Sequence, residues 1–193
     1  VFKKNASIAI VNRIRKKTNY TKQIKVKNTL NFLTNCASEF RNNIDTTIIA
    51  ITGSCGKTSL KDLLSSTLNK FKRTSCSKKS FNNKFGVPLS LFNFNQKDTF
   101  GVLEVGMDKK GEIDYLSNII KPDVGVITNV SYAHIKNFKN ISEIAAAKGE
   151  IINNIKDNGS IVLNADDKFY NFHKFLALKK GLKVYNFSYN KKN

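Results

Sequence analysis

One short stretch limits the folds open to this chain more than any other. The β-branched run Thr47–Thr52 leads into Gly53-Ser54-Cys55-Gly56-Lys57-Thr58-Ser59, and apolar residues follow at helical spacing, at Leu60, Leu63, Leu64, Leu68 and Phe71. A strand, a glycine turn and an amphipathic helix in that order make a phosphate cradle. The glycines let the backbone turn tightly and aim its amides at an anion, and the helix N-terminus adds its partial positive charge. In such a loop Lys57 reaches the terminal phosphates and the Thr58 hydroxyl binds Mg²⁺. The glycines stand closer together than in the standard G-x-x-x-x-G-K-[ST] pattern. An ordinary strand-turn-helix with a convenient glycine is the plainer alternative, but the order of the three features favours phosphate.

From residue 47 onward the pattern alternates. Strands are expected at 47–52, 100–105, 122–130, 160–164 and 182–187, and helices at 58–71, 111–120 and 140–155. Continuous apolar strands between amphipathic helices imply an α/β fold, a mostly parallel sheet with helices on both faces. Residues 1–46 read differently: short strands near 8–11 and 24–26, a basic linker between them, then a helix with Leu30, Leu33, Ala37 and Phe40 on one face. The expected division is therefore 1–46, the tail of a preceding domain, and 47–193, an incomplete central domain. The only methionine is Met107, and the chain is accordingly read as an internal fragment of a longer protein.

The chain has 193 residues and a net charge of +19, which invites a nucleic-acid reading. Only Arg13, Arg15, Arg41 and Arg73 are arginines, whereas phosphate and base-edge readers favour the bidentate guanidinium. The lysines are spread along the chain among many Asn and Ile residues, as solvated faces of a compositionally biased sequence. A nucleic-acid partner is not expected. No apolar run approaches the ~20 residues that span a bilayer, so membrane insertion is not expected either. Cys36, Cys55 and Cys76 are odd in number and form no CxxC pair, which suits a reducing cytoplasm without disulfides or zinc.

Three single residues stand out. Glu104 interrupts Val102-Leu103-Glu104-Val105-Gly106 near the carboxyl end of a buried strand, where ligands of open α/β sheets gather. A carboxylate there needs a salt bridge or a metal, and Mg²⁺ suits its oxygens. His134 follows the 122–130 strand in a loop, a position that alone lifts it above a solvated side chain. Lys148 falls on the apolar stripe Ile144, Ile151 and Ile155. It either snorkels to the edge, which periodicity favours, or is held inside, where burial leaves the reactive neutral amine.

These blocks together resemble the Mur ligases. Ile51 to Ser59 is similar to their shortened P-loop, which accounts for the close glycines. The match continues in order through Asn82-Asn83-Lys84-Phe85-Gly86-Val87-Pro88-Leu89-Ser90-Leu91, Glu104-Val105-Gly106-Met107, Gly111-Glu112-Ile113, Pro122-Asp123-Val124 through Asn129, Ala133-His134, Ala147-Lys148-Gly149-Glu150-Ile151 and Asn164-Ala165-Asp166-Asp167, covering roughly residues 24–187. The resemblance implies a P-loop NTPase-like central domain, preceded by a UDP-sugar-binding domain and followed by an acceptor-binding domain absent from this chain. It implies ATP-dependent amide-bond formation through an acyl phosphate in peptidoglycan precursor synthesis. ATP would be held by Gly53, Ser54, Cys55, Gly56, Lys57, Thr58, Ser59 and Asn164. Thr58 and Glu104 would ligate Mg²⁺, and His134 with a carbamylated Lys148 a second ion. Lys57, Glu104, His134 and Lys148 would be catalytic, with Asn82 and Asn83 near the peptide of the nucleotide sugar.

Within the family, the Asn-Asn…Gly-Val-Pro-Leu, Gly-Glu-Ile and Ala-Lys-Gly-Glu-Ile blocks resemble the branch that joins D-alanyl-D-alanine to UDP-N-acetylmuramoyl-tripeptide, as a cytoplasmic monomer. The fragment alone is not expected to turn over. A sister ligase adding D-glutamate, a diamino acid or a folate glutamate is the alternative within the chemistry, because acceptor choice lies largely in the absent domain. A basic P-loop nucleic-acid protein and an inactive scaffold are the alternatives outside it. The first lacks clustered arginines and aromatics, and the second is disfavoured by Lys57, Thr58, Glu104, His134 and Lys148 occurring together.

Overall fold

The computed structural model describes residues 6–16, 20–132 and 135–189. Its first elements are β1 (Ala9–Val11) and β2 (Gln23–Lys25), paired in parallel, followed by α1 (Thr29–Asn42). Asn28 caps α1 by accepting from the amides of Leu30 and Asn31. The remaining elements are β3 (Thr47–Thr52), α2 (Lys57–Leu68), β4 (Thr74–Cys76), α3 (Gly86–Leu91), β5 (Phe100–Glu104), α4 (Glu112–Ile120), β6 (Val124–Ile127), α5 (Ile141–Gly149), β7 (Ser160–Asn164), α6 (Tyr170–Lys179) and β8 (Lys183–Phe187). The six strands from β3 to β8 form one parallel sheet in the order β4-β5-β3-β6-β7-β8.

That order carries the functional consequence. The chain leaves β3 towards one edge, through β4 and β5, and then crosses to the other side of β3 through β6. The carboxyl end of β3 is therefore a topological switch point, with a crevice between diverging connections. Strand side chains alternate between the faces. Ile48 and Ala50 enter the larger core with α1, α3, α4 and α5, whereas Ile49 and Ile51 meet Val102, Val126 and the α2 residues Leu60, Leu64 and Leu68. Both faces of the strand are covered, which is why its sequence is apolar from Ile48 to Ile51.

Several expected elements shift. The α2 stripe is narrower than the spacing suggested, since Leu63 and Phe71 are 65% and 75% exposed. The helix expected over 140–155 closes at Gly149 and tightens into a 3₁₀ turn, Glu150–Asn154. The 122–130 strand ends at Ile127, because the residues after it turn to hold the loop behind β3. α1 packs on α3 and α4, and Arg41 at its end is buried, donating to the carbonyls of Ile44, Thr46, Ile120 and Lys121 and pairing with Asp123 at 2.8 Å. No helix among the described residues is long and apolar enough to cross a membrane.

Candidate active site

The turn after β3 is shaped by backbone that only glycine adopts readily. Gly53 has φ 148° and Gly56 has φ 80°, and a Cβ on Gly53 would stand 1.9 Å from the Thr128 hydroxyl. The loop is held from the far side by the residues just beyond β6. Thr128 Oγ1 donates to the Cys55 carbonyl at 2.7 Å, the Cys55 amide donates to Asn129 Oδ1 at 3.0 Å, and the Ser131 amide donates to Ser54 Oγ at 2.8 Å. α2 then begins without a side-chain cap, so its first-turn amides have no intrahelical acceptor and remain suited to an anion. Lys57 Nζ folds back on the Gly53 carbonyl at 2.7 Å.

Glu104 closes the site from β5. It is 2% exposed, and its two oxygens are held separately: Thr58 Oγ1 donates to Oε2 and Asn82 Nδ2 donates to Oε1, both at 2.7 Å. No ion pair involves Glu104 among the described residues, so a salt bridge is not what satisfies it. A hydroxyl and an amide are neutral donors, and each carboxylate oxygen they bond keeps a lone pair to spare for a hard cation.

Lys148 lies on α5, as its place on the apolar stripe implied, but it does not snorkel to solvent. It is 2% exposed and lines the same cleft, of about 690 Å³, as Gly53, Lys57, Asn82, Asn83 and Gly106. Burial pushes its pKa down to about 8, the Lys57 charge adds to that shift, and Cys55 opposes it. No hydrogen bond or ion pair to Lys148 is present among the described residues. Behind it, His173 of α6 is buried against Gly149 and bonds the Ala145 carbonyl at 2.9 Å. A carbonyl only accepts, so Nε2 carries the proton.

A tight glycine loop, an uncapped helix start, two lysines and a buried carboxylate beside a hydroxyl thus meet at one switch point. Comparison with known proteins places this arrangement. Residues 51–193 match the Mur ligase middle domain. The chain belongs to the Mur ligase family. It is similar to the UDP-N-acetylmuramoyl-tripeptide–D-alanyl-D-alanine ligase of Buchnera aphidicola subsp. Acyrthosiphon pisum, at 39% identity over 83% of this chain and 34% of the relative. Among solved structures it resembles MurF from Acinetobacter baumannii, with a TM-score of 0.88, 31% identity, and 96% of this chain set on 40% of that one. MurF ligase from Thermotoga maritima in complex with ADP aligns with a TM-score of 0.84 and 28% identity, over 95% of this chain and 42% of that one. The chain therefore spans between a third and about two-fifths of the length of these relatives.

The other site residues expected of this Mur ligase chain fall into distinct places. Asn82 and Asn83 both line the cleft, but Asn83 spends its side-chain oxygen on the start of α3, accepting from the amides of Phe85 and Gly86. Asn164, at the end of β7, donates to the Thr128 carbonyl at 3.2 Å and so braces the segment that holds the loop. Ser59 sits in the first turn of α2, and Cys55 is exposed. His134 lies outside the described residues. No cluster of three His, Cys, Asp or Glu side chains is present among the described residues. Mg²⁺ does not need one, because it binds through one or two protein oxygens together with phosphate oxygens and water, and the Thr58–Glu104 pair fits that mode.

Four further contributors lie inside the blocks quoted from the sequence, which gave them no role. Thr128 and Asn129 pin the loop with their side chains, which bond the backbone of Cys55. Glu112 and Glu150 of the Gly-Glu-Ile and Lys-Gly-Glu-Ile blocks accept backbone amides: Glu112 from Asp108 and Lys109, and Glu150 from Gly111 and Asp114. The Glu150 carboxylate, on the turn after Lys148, so holds the α4 wall of the cleft to α5. The recurrence of Glu beside glycine was the only sequence signal for them.

Proposed function

We propose that this chain is the nucleotide-binding part of an ATP-dependent ligase that joins D-alanyl-D-alanine to UDP-N-acetylmuramoyl-tripeptide. In this reading residues 47–193 belong to the central ATP-binding domain and 1–46 to the end of the UDP-sugar-binding domain. The observation that carries the phosphoryl chemistry is the Thr58–Glu104 contact of 2.7 Å beside the Gly53–Lys57 turn. The acceptor is drawn from the name of the Buchnera aphidicola relative, a UDP-N-acetylmuramoyl-tripeptide–D-alanyl-D-alanine ligase. The enzyme is taken to act in the cytoplasm as a monomer, with no nucleic-acid partner.

The overall reaction splits amide formation into two easier steps. The tripeptide carboxylate takes the γ-phosphoryl group of ATP, releasing ADP, and the D-alanyl-D-alanine amine then attacks the acyl carbon as phosphate leaves. Thr58 and Glu104 would hold Mg²⁺, which would supply charge neutralisation for the phosphoryl group. Lys57 leaves the Gly53 carbonyl for the transferring phosphoryl oxygens, and the first-turn amides of α2 hold the adjacent phosphate. Their contribution is positioning and electrostatic stabilisation rather than covalent chemistry. His134 and a carbamylated Lys148 are assigned to a second ion: the carbamate turns a poorly placed cation into an anionic ligand. Its formation would need CO₂, which adds to the neutral amine with loss of one N–H proton to water, and a pKa of about 8 leaves part of the amine neutral near neutrality.

Lys57→Ala in the full-length parent enzyme tests the assignment. Turnover is expected to fall by roughly a hundredfold or more, as when an electrostatic contact to a transition state is removed, with the thermal melt unchanged. Wild-type turnover by that variant would overturn the loop's role.

A further inference from the structure

Lys61 and Lys148 are the two largest fully buried side chains among the described residues, and Lys61 takes no part in the chemistry above. It lies one turn beyond Lys57 on α2 and is 1% exposed. Its Nζ donates to the Lys79 carbonyl at 2.7 Å and stands 3.3 Å from the exposed Asp62 carboxylate. A lysine side chain this fully covered needs partners for its donors, so the contact it makes needs a reason.

The reason lies at the other end of that contact. Lys79 has φ 48°, a left-handed backbone unusual for a residue with a side chain, inside a tight turn where the Phe81 amide bonds the Lys78 carbonyl and the Asn82 amide bonds the Ser80 carbonyl. The turn delivers Asn82, whose side chain holds Glu104 at 2.7 Å and whose carbonyl accepts from the Gly106 amide at 2.8 Å. We infer that Lys61 is a positioning residue: it ties the phosphate-binding helix to the 78–82 turn, and thereby sets Asn82 and the Glu104 carboxylate against Thr58. One helix then carries both the residues that meet the nucleotide and the anchor of the opposite wall. The inference rests on the proposed function of this site for its catalytic consequence, but not for its geometry.

The test uses the full-length parent enzyme with Lys61→Met, Lys61→Arg, Asn82→Ala and the double variant Lys61→Met/Asn82→Ala. Lys61→Met keeps the apolar stem and removes the donor. In the unliganded enzyme, amide hydrogen exchange at Gly106 is expected to speed up by roughly tenfold in Lys61→Met and to return towards wild type in Lys61→Arg. Under turnover, Lys61→Met is expected to lower kcat/KM by about tenfold alone and by less than twofold on the Asn82→Ala background, because two residues acting through one contact are not additive. Unchanged exchange at Gly106 in a folded Lys61→Met protein would overturn the inference. So would equal losses on the two backgrounds, which mark general packing. An inactive wild-type parent would refute the function while leaving the exchange result to judge Lys61 by itself.

Discussion

Thr58 Oγ1 donates to Glu104 Oε2 at 2.7 Å, joining the first turn of α2 to the last residue of β5. The two residues are 46 positions apart in sequence and adjacent only because β5 lies beside β3 in the sheet. Glu104→Gln preserves the shape of this contact and removes its charge. It is expected to keep the thermal melt of the full-length enzyme within a few degrees, to abolish the strengthening of nucleotide binding by Mg²⁺, and to cut turnover by roughly a hundredfold to a thousandfold. Calorimetric titration of ADP with and without Mg²⁺ measures the first effect. A variant that retains the Mg²⁺ dependence contradicts the assignment.

Gly53→Ala places a methyl group 1.9 Å from the Thr128 hydroxyl at a φ of 148°. Thr128 cannot yield freely, because its hydroxyl holds the Cys55 carbonyl. The expected cost is about 1–3 kcal/mol of stability, typical of an unfavourable backbone region, together with loss of nucleotide affinity. Urea unfolding beside a nucleotide titration checks both, and a fully stable variant with normal affinity would rule out the tight turn.

Arg41 donates to four carbonyls and pairs with Asp123, whose Oδ2 also accepts from the Ile48 amide at 2.8 Å. Arg41→Met therefore removes the clamp between α1 and the start of β3. Asp123 keeps its pair with Lys156 at 2.9 Å, so the loss comes mainly from buried carbonyls left without their donor. An unsatisfied buried group costs about 1–3 kcal/mol, and a loss of that size or more is expected in chemical denaturation. A loss below about 1 kcal/mol, the scale of a surface pair, would contradict the clamp.

The parts of this molecule that were legible in sequence are those fixed by neighbours in the chain. β3 and β7 begin and end at the expected residues, Thr47–Thr52 and Ser160–Asn164, because apolar β-branched runs there meet a glycine or an Asn-Gly turn. Lys148 was visible because it broke an apolar stripe, although periodicity favoured snorkelling over the burial observed. Arg41 and Lys61 were not visible: their partners are backbone carbonyls brought close by the fold, and neither residue interrupts an obvious pattern. β4 has only three residues, too few to show a period, and α3 carries Pro88 within six residues, which disguises it as a turn. Glu104 was recognised as anomalous, but the hydroxyl and amide that hold it come from separate elements.

His173 gives the fold a defined response to acid. Burial holds its pKa below the ordinary 6.5, and the Lys148 charge pushes the same way, while the Ala145 hydrogen bond and Asp167 oppose the shift. The unfolded chain therefore takes up a proton near pH 6.5 that the folded chain refuses. Stability is highest above that pH and falls as the pH drops from 6.5 towards the lower folded value. Denaturation of wild type and His173→Leu above and below pH 6.5 is expected to show a smaller acid loss in the variant. Equal losses would mean that the ring protonates as easily folded as unfolded.

The central claim is most directly tested by the product formed. The full-length parent is incubated with Mg-ATP, a competing panel of D-alanyl-D-alanine, D-glutamate and a diamino acid, and the matching UDP-N-acetylmuramoyl precursors, and the products are read by mass spectrometry. The proposed function predicts a D-alanyl-D-alanine adduct of UDP-N-acetylmuramoyl-tripeptide with one ADP released per bond. An adduct with another acceptor, or ATP bound without any adduct, would contradict it.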